Sequence, residues 1–375
     1  LPLLGQLKRW IMTNVIEGVL PSQSIQKMIK CGEISASEAA IESSQIQPAS
    51  LDLRLGLVAY RVRASFLTGK NFTVNDRLQE FKMHKIDLAK GAILEKGCVY
   101  IIPLMEYLNL PKNVTAASNA KSSIGRLDLL TRVITDNGIE FDRINNGYKG
   151  PLYAEICPRS FSVLARPKQR LNQIRFRIGK SIINDDGLKK MHASDPLVNG
   201  EAFIDDGLGF SVDLKPKENK LVGFVAKPHA DIIDLDKINY YSPNDFWQSV
   251  ETSSGKIILD PGAFYILVSR EAVNIPSNCA AEMAPYIAMI GEFRVHYAGF
   301  FDPGFGNKEA GGIGSRGVLE VRCHESPFVL EHGQNVGRLI YEKMIEKPNI
   351  LYGQDLKSNY QGQGLKLSKH FKSVR

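Results

Sequence analysis

The sequence predicts a mainly β protein made of two tandem copies of one domain, with a few short helices. An internal repeat is the first of three observations behind this. Gly97, Tyr100, Pro111 and Glu155 recur as Gly262, Tyr265, Pro276 and Glu320, each at an offset of 165 residues. Leu94-Glu-Lys-Gly-Cys-Val-Tyr100 thus faces Leu259-Asp-Pro-Gly-Ala-Phe-Tyr265, and Leu110-Pro-Lys-Asn-Val114 faces Ile275-Pro-Ser-Asn-Cys279. Such a unit has the size of a domain and far exceeds a solenoid repeat. The second observation is a succession of short apolar runs alternating with period two. The third is their punctuation by Gly, Pro, Asn and Asp, as in an all-β sandwich or barrel.

The elements follow in order. Residues 1–11 read as an extension ahead of Met12, without the apolar run and cleavage site of a signal peptide. Pro21-Ser-Gln-Ser24 before Ile25, Met28 and Ile29 predicts a short capped helix. Strands are predicted at Leu51–Leu55, Val58–Val62, Tyr100–Pro103, Ser162–Leu164 and Gln173–Ile178. The second copy gives Val222–Val225, Phe264–Val268, Val318–Val321 and Arg338–Tyr341. Ser50-Leu-Asp-Leu53 echoes Ser211-Val-Asp-Leu214, and Ile86-Asp-Leu88 echoes Ile233-Asp-Leu235. Asp52 and Asp213 are therefore read as equivalent, structural residues. Residues 180–210 show little periodicity and are expected to hold the junction. The domains are placed at 12–180 and 181–345. Residues 346–375, with Gly353, Gly362 and Gly364 and no strand pattern, read as a flexible carboxy-terminal arm.

A chain of 375 residues with 43% hydrophobic content suits two globular domains. No apolar run of about 18 residues is present, so no membrane span is expected. The five cysteines form no Cys-x-x-Cys pair and read as reduced cytoplasmic thiols. A net charge of +7 favours an anionic partner, either nucleic acid or a phosphate ester. The basic cluster from Lys366 to Arg375 reads as a solvated terminus.

Two segments carry candidate chemistry. Lys121-Ser-Ser-Ile-Gly-Arg126 puts two hydroxyls and two cations within six residues, suited to phosphate oxygens. A turn or cap is the competing reading. Val295-His-Tyr-Ala-Gly-Phe-Phe-Asp-Pro-Gly-Phe305 contains a tight turn after Asp302, and Glu320 follows in the apolar run Val318-Leu-Glu320. A carboxylate buried there is either paired or kept for acid–base work. His296 reads as an ordinary strand histidine. The chain lacks a His-x-Glu and Pro-Cys-x-x-Cys zinc-site pattern, Cys323 and His324 having no partner at the needed spacing.

Together these segments resemble the deoxycytidine triphosphate (dCTP) deaminase family of the deoxyuridine triphosphatase-like (dUTPase-like) superfamily. Gln47-Pro-Ala-Ser-Leu-Asp-Leu-Arg-Leu-Gly56 is similar to its early strand motif, and Lys121–Arg126 to its phosphate segment, which usually starts with Arg. Ala298–Asp302 with Glu320 is similar to its pyrimidine and catalytic segment. Tyr352 followed by Ser358-Asn-Tyr-Gln-Gly-Gln363 is similar to its closing arm, with Asn359 where that arm usually has Lys and Lys357 nearby. The stretch from Asp302 to Glu320 is longer than the family pattern.

The resemblance implies two tandem dUTPase-like distorted β-barrel or jelly-roll (β-clip) domains. It implies hydrolytic deamination of dCTP to dUTP and ammonia, within pyrimidine deoxynucleotide biosynthesis. Glu320 would be the general base and then acid. Lys121, Ser122, Ser123 and Arg126 would hold the phosphates. Ala298, Phe301, Asp302 and Val318 would surround base and sugar, and Tyr352 and Gln363 would close over the triphosphate. It further implies Mg2+ carried with the triphosphate and no zinc, dTTP as a candidate feedback inhibitor, a homo-oligomer, and neither nucleic acid nor membrane as partner.

In the family the site is shared between neighbouring domains. At the place of Lys121, Ser122, Ser123 and Arg126 the second copy is read as Ala284, Pro285, Tyr286 and Met289, so the phosphate chemistry falls to the first copy. At the place of Tyr297-Ala298 the first copy has Ile134-Thr135, and its Phe141-Asp-Arg143 lacks the Pro-Gly turn. It keeps Glu155, but catalysis is assigned to Glu320. A dUTP pyrophosphatase, alone or combined with deamination, is the competing enzyme. A degenerate nucleotide-sensing or nucleic-acid-binding regulator is the competing non-enzyme.

Overall fold

The computed structural model describes residues 16–215, 220–285, 293–296, 299–323, 325–353 and 361–373. It is mainly β, and each copy folds its strands into two main sheets of matching order. In the first copy one sheet runs Gly18–Val19, Arg170–Ile178, Val114–Ala120, Arg143–Ile144, with Leu51–Arg54 also paired to Arg170–Ile178. The other runs Lys82–Asp87, Val58–Val62, Val99–Asn109, Lys149–Pro158, Leu129–Thr135. The second copy matches with Leu208–Ser211 in the place of Leu51–Arg54, then Asn335–Lys343, Cys279–Pro285, Phe300–Phe301, and with Trp247–Glu251, Leu221–Ala226, Phe264–Val273, Ser315–Cys323, Phe293–His296.

The repeat is visible in the ladders. Ile101 lies opposite Glu155, and Ile266 opposite Glu320. Gly97 and Gly262 turn the chain at φ 77° and 72°, a region open to glycine, and donate their amides to the carbonyls of Pro158 and Cys323. The larger apolar core runs from the first copy into the second through Phe224, Phe246, Trp247 and Phe264, and a second core lies within the second copy.

Several sequence expectations need correction. Asp52 lies opposite Gln173, and the residue opposite the equivalent Arg338 is Gly209, so Asp213 is no counterpart of Asp52. Ile233–Asp234 is not the counterpart of Ile86–Asp87 either. It pairs in parallel with Val163–Leu164 of the first copy, whereas Ile86 sits on an edge strand matched by Val250. Local similarity of short apolar runs misled here, because register is set by the facing strand. The helix Ser22–Lys30 exists, but Pro21 caps it without a side-chain bond. Residues 180–210 contain a further helix, Asp185–Ser194, capped by Asn184. Its periodicity was weak because Leu188 is its one fully buried residue.

The carboxy-terminal region also departs from a solvated arm. Leu367 and Phe371 are buried in the larger core, with Phe371 packed on Phe246 and Trp247 at ring distances of 5.4 and 5.9 Å. His370 is buried, and its backbone carbonyl accepts from the amides of Tyr240 and Tyr241.

Candidate functional site

The strand Val114–Ala120 ends at Lys121, and the chain then makes a single helical turn, Ser122–Gly125, before Arg126. Lys121 donates its amide to Leu171, which ties the turn to the sheet. The turn thereby presents Lys121, Ser122, Ser123 and Arg126 to a cavity of about 360 Å³. The second copy closes that cavity. Glu320, in the middle of Ser315–Cys323, enters it together with Val318, and Asp302 and Phe301 enter it from the turn after Phe300–Phe301. Tyr352 and Gln363 line it as well. Among the described residues every site residue expected from sequence therefore meets in one cavity, within one chain. Ala298 and Tyr297 lie outside the described residues, as do His324, Lys357 and Ser358-Asn-Tyr360.

Glu320 is buried, and its carboxylate lies 4.0 Å from the Arg126 guanidinium. Burial pushes its pKa from 4.5 up to about 8; Arg126 opposes the rise and Asp128 adds to it. Asp128 is itself held by Ser160 at 2.6 Å and by Arg322, so a first-copy carboxylate and a second-copy guanidinium are joined behind the site. Arg126 donates to the Lys366 carbonyl at 3.0 Å and to Gln363 Oε1 at 3.1 Å. Gln363 also donates to the Arg316 carbonyl at 3.0 Å, and so links the phosphate-type segment to the Glu320 strand.

Asp302 is buried and accepts from Arg175 at 3.2 Å. Burial raises its pKa, and Arg175 opposes the rise. Arg175 is fully buried, lies 4.1 Å over the Phe300 ring and also reaches Glu342 at 3.3 Å. Phe301 packs edge-on against Phe305, which in turn contacts the Tyr352 ring.

Sequence reading missed several cavity residues. Asp52, taken as structural, is ion-paired with Lys121 beside the cavity. Ser44, Gln47, Gln173 and Lys369 also line it. Gln47 and Asp52 belong to the early strand motif, which was the available signal. Arg175 could have been suspected, since Gln173–Ile178 alternates with arginines on what becomes an inner face. Lys369 had no signal, because a basic tail ordinarily stays in water.

The comparison of the two copies also needs correcting. Pro285 lies opposite Gly337 as Ala120 lies opposite Asn172, so Ala284 and Pro285 match Asn119 and Ala120 rather than Lys121 and Ser122. The segment that follows, including Tyr286 and Met289, lies outside the described residues. In sequence, residues 286–291 contain no serine, threonine, lysine or arginine. Phe301 lies opposite Ala281 as Ile144 lies opposite Ala116, so Asp302 matches Asn145 rather than a residue of Phe141–Arg143. The first copy does turn there, at Gly147, whose φ of 68° parallels 98° at Gly304. Glu155, the counterpart of Glu320, is buried against Arg132 from the neighbouring strand.

Comparison with known proteins gives a consistent result. A family model described as the 2'-deoxycytidine 5'-triphosphate deaminase N-terminal domain matches residues 16–180, and one for the C-terminal domain of the same deaminase matches 184–371. A crystal structure of 2'-deoxycytidine 5'-triphosphate deaminase from Agrobacterium tumefaciens is 52% identical, with a TM-score of 0.84, over 88% of this chain and 99% of that one. Curated relatives named "dCTP deaminase, dUMP-forming" are more distant. That of Aquifex aeolicus (strain VF5) is 29% identical over 44% of this chain and 92% of its own length. That of Nanoarchaeum equitans (strain Kin4-M) is 30% identical over 43% and 84%.

Proposed function

The chain belongs to the dCTP deaminase family, and from that premise we propose that its cavity hydrolyses dCTP to dUTP and ammonia, with Glu320 as the proton carrier. The observation that carries this reading is the position of Glu320: a buried carboxyl, lifted to about 8, facing the same cavity as Lys121, Ser122, Ser123 and Arg126. A group with that pKa exchanges a proton readily near neutral pH.

In the proposed reaction the Glu320 carboxylate takes a proton from water as the oxygen attacks C4 of cytosine, and passes it to N3 as the C4–N3 π bond gives way. The carboxylate then takes the proton of the new C4 hydroxyl and hands it to the exocyclic nitrogen, so that C4=O forms as the C–N bond breaks and ammonia leaves. Arg126, 4.0 Å away, steadies the ionised form and keeps the carboxylate available. Lys121, Ser122, Ser123 and Arg126 hold the phosphates, whose Mg2+ arrives as part of the substrate. Asp302, oriented by Arg175, accepts from the deoxyribose hydroxyl. Ala298 and Val318 flank the base, and Tyr352 and Gln363 close the site. The two copies thus divide the work, with phosphate binding in the domain proposed at 12–180 and proton transfer in that at 181–345.

The name of the relatives from Aquifex aeolicus and Nanoarchaeum equitans, dUMP-forming, favours one second reading, in which pyrophosphate is released as well and dUMP leaves. Incubation with dCTP and magnesium, followed by separation of dUTP, dUMP and pyrophosphate, tests both. Equimolar dUTP and ammonia is the expected result; dUMP with pyrophosphate supports the second reading, and unchanged dCTP refutes both. Arg126→Ala and Ser123→Ala should weaken dCTP binding far more than dCMP binding, since a charge-assisted hydrogen bond contributes about 1.5–3 kcal/mol. Equal losses for the two nucleotides would make these residues structural.

A further inference from the structure

The cations around the cavity differ in what they face. Lys121 is ion-paired with Asp52. Arg126 is shared among the Lys366 carbonyl, Gln363 and Glu320. Lys369 lines the same cavity, half-buried, and among the described residues its ammonium has no hydrogen-bond or ion-pair partner. Its electrostatic neighbours are mostly cationic, Lys121 and Arg170, with Asp52 the one carboxylate among them. Burial and then Lys121 hold its pKa below the ordinary lysine value. An ammonium left partly desolvated among cations is a costly arrangement without an anion.

The backbone at this position is nevertheless firmly held. On one side Ser368 Oγ donates to the Ser123 carbonyl at 2.6 Å, directly under the phosphate-type turn. On the other, His370 Nε2 meets the Leu235 carbonyl at 3.2 Å and Phe371 is buried in the core. The Lys369 carbonyl itself accepts from the Asn239 amide at 2.9 Å. None of these anchors uses the lysine side chain. The chain therefore fixes where the ammonium originates while leaving its charge uncompensated, as a preorganised anion site requires.

We propose that Lys369 is a phosphate-binding residue, through which the carboxy-terminal segment adds a cation to the polyphosphate site made by Lys121, Ser122, Ser123 and Arg126. The proposal rests on reading that turn as the phosphate site. It assigns the segment 361–373 a specificity role, because a monophosphate offers less charge for the added cation to meet. It also gives a chemical use to a tail whose composition suggested only solubility.

The test measures dCTP and dCMP binding by calorimetry with magnesium, in a Glu320→Gln background so that turnover does not intervene. Adding Lys369→Ala should weaken dCTP by about tenfold or more and dCMP by about twofold or less, with Lys369→Arg recovering most of the loss. Lys369→Gln serves as a second neutral variant, and melting temperatures identify any variant that loses its fold. Arg126→Ala is the control for the underlying reading. If Arg126→Ala loses dCTP selectively while Lys369→Ala and Lys369→Gln do not, the Lys369 proposal is overturned and the phosphate turn stands. If neither position discriminates dCTP from dCMP, the phosphate reading itself fails. Equal loss of both nucleotides in folded Lys369 variants would also overturn the proposal, by making the lysine a general positioning residue.

Discussion

Glu320→Gln tests the proposed proton carrier through stability as well as rate. Burial lifts the Glu320 carboxyl from 4.5 to about 8. Between those values the folded protein keeps a proton that the unfolded chain has released. Each pH unit across that interval costs the folded state about 1.4 kcal/mol. Because the folded pKa is raised, the contribution of this group is fully present below about 4.5 and is lost as pH rises through about 8. At pH 7 the loss reaches about 3 kcal/mol. Glutamine has nearly the same shape and no proton to lose, so the variant should match the wild type near pH 4.5 and exceed it progressively toward pH 8. Urea unfolding at pH 5, 7 and 8.5 reads this difference directly. The same titration should appear in kcat/KM, rising with pH toward about 8 because the attacking step needs the carboxylate. Turnover of Glu320→Gln should fall to background while dCTP binding persists. A stability difference independent of pH, together with a flat kcat/KM profile from pH 6 to 9, would refute the reasoning.

Three further outcomes follow from the same contacts. Glu155→Gln should deaminate dCTP at close to the wild-type rate yet unfold earlier in urea, by less than the roughly 3–5 kcal/mol of a fully buried pair because Arg132 is partly exposed; loss of turnover equal to that of Glu320→Gln would reverse the assignment of the two copies. Phe371→Ala should lower stability by about 3–5 kcal/mol, since the ring lies in the core between Phe246 and Trp247; a wild-type denaturation midpoint would show that the terminal segment is not held as described. Mixing chains that carry Arg126→Ala with chains that carry Glu320→Gln, under conditions allowing subunit exchange, should restore no activity, because both residues meet within one chain; recovery would place the working site between chains.

Much of this was legible in the sequence where strands set the spacing. The offset of 165 residues survives in paired ladders because a strand that slips by one residue turns its apolar face outward. Gly97 and Gly262, Tyr100 and Tyr265, and Glu155 and Glu320 therefore keep their partners. The offset fails where loops intervene. Asp302 matches Asn145 at an offset of 157, and the eight residues regained before Ser315 form the extra length noticed in sequence. Asp52 was misread because a four-residue echo carries no information about the facing strand. The packing of Leu367, Lys369 and Phe371 was illegible for another reason: two apolar residues in a basic tail have no period, and their burial depends on a groove made by distant aromatics.

The fused arrangement then has a physical rationale in the two equivalent glutamates. Both are buried in an apolar strand, and both face a guanidinium. Glu155 meets Arg132 from its own sheet, an ion pair that the first copy completes by itself. Glu320 has His296 at the matching ladder position, and its cation, Arg126, comes from the other copy across a cavity. A pair closed within one sheet leaves no room for a ligand, whereas a pair spanning two domains leaves the space between them open. The eight added residues reinforce this asymmetry. Gln361 meets the Gly306 amide and the Gly304 carbonyl at their edge and the Ala310 carbonyl among them, and two residues later Gln363 reaches Arg126. The second copy thus receives the returning chain that secures the first copy's arginine beside the second copy's carboxylate. On the proposed assignment, the absence of the phosphate-type residues from one copy and the closure of the carboxylate in the other would leave one complete site among the described residues, which neither domain would assemble alone.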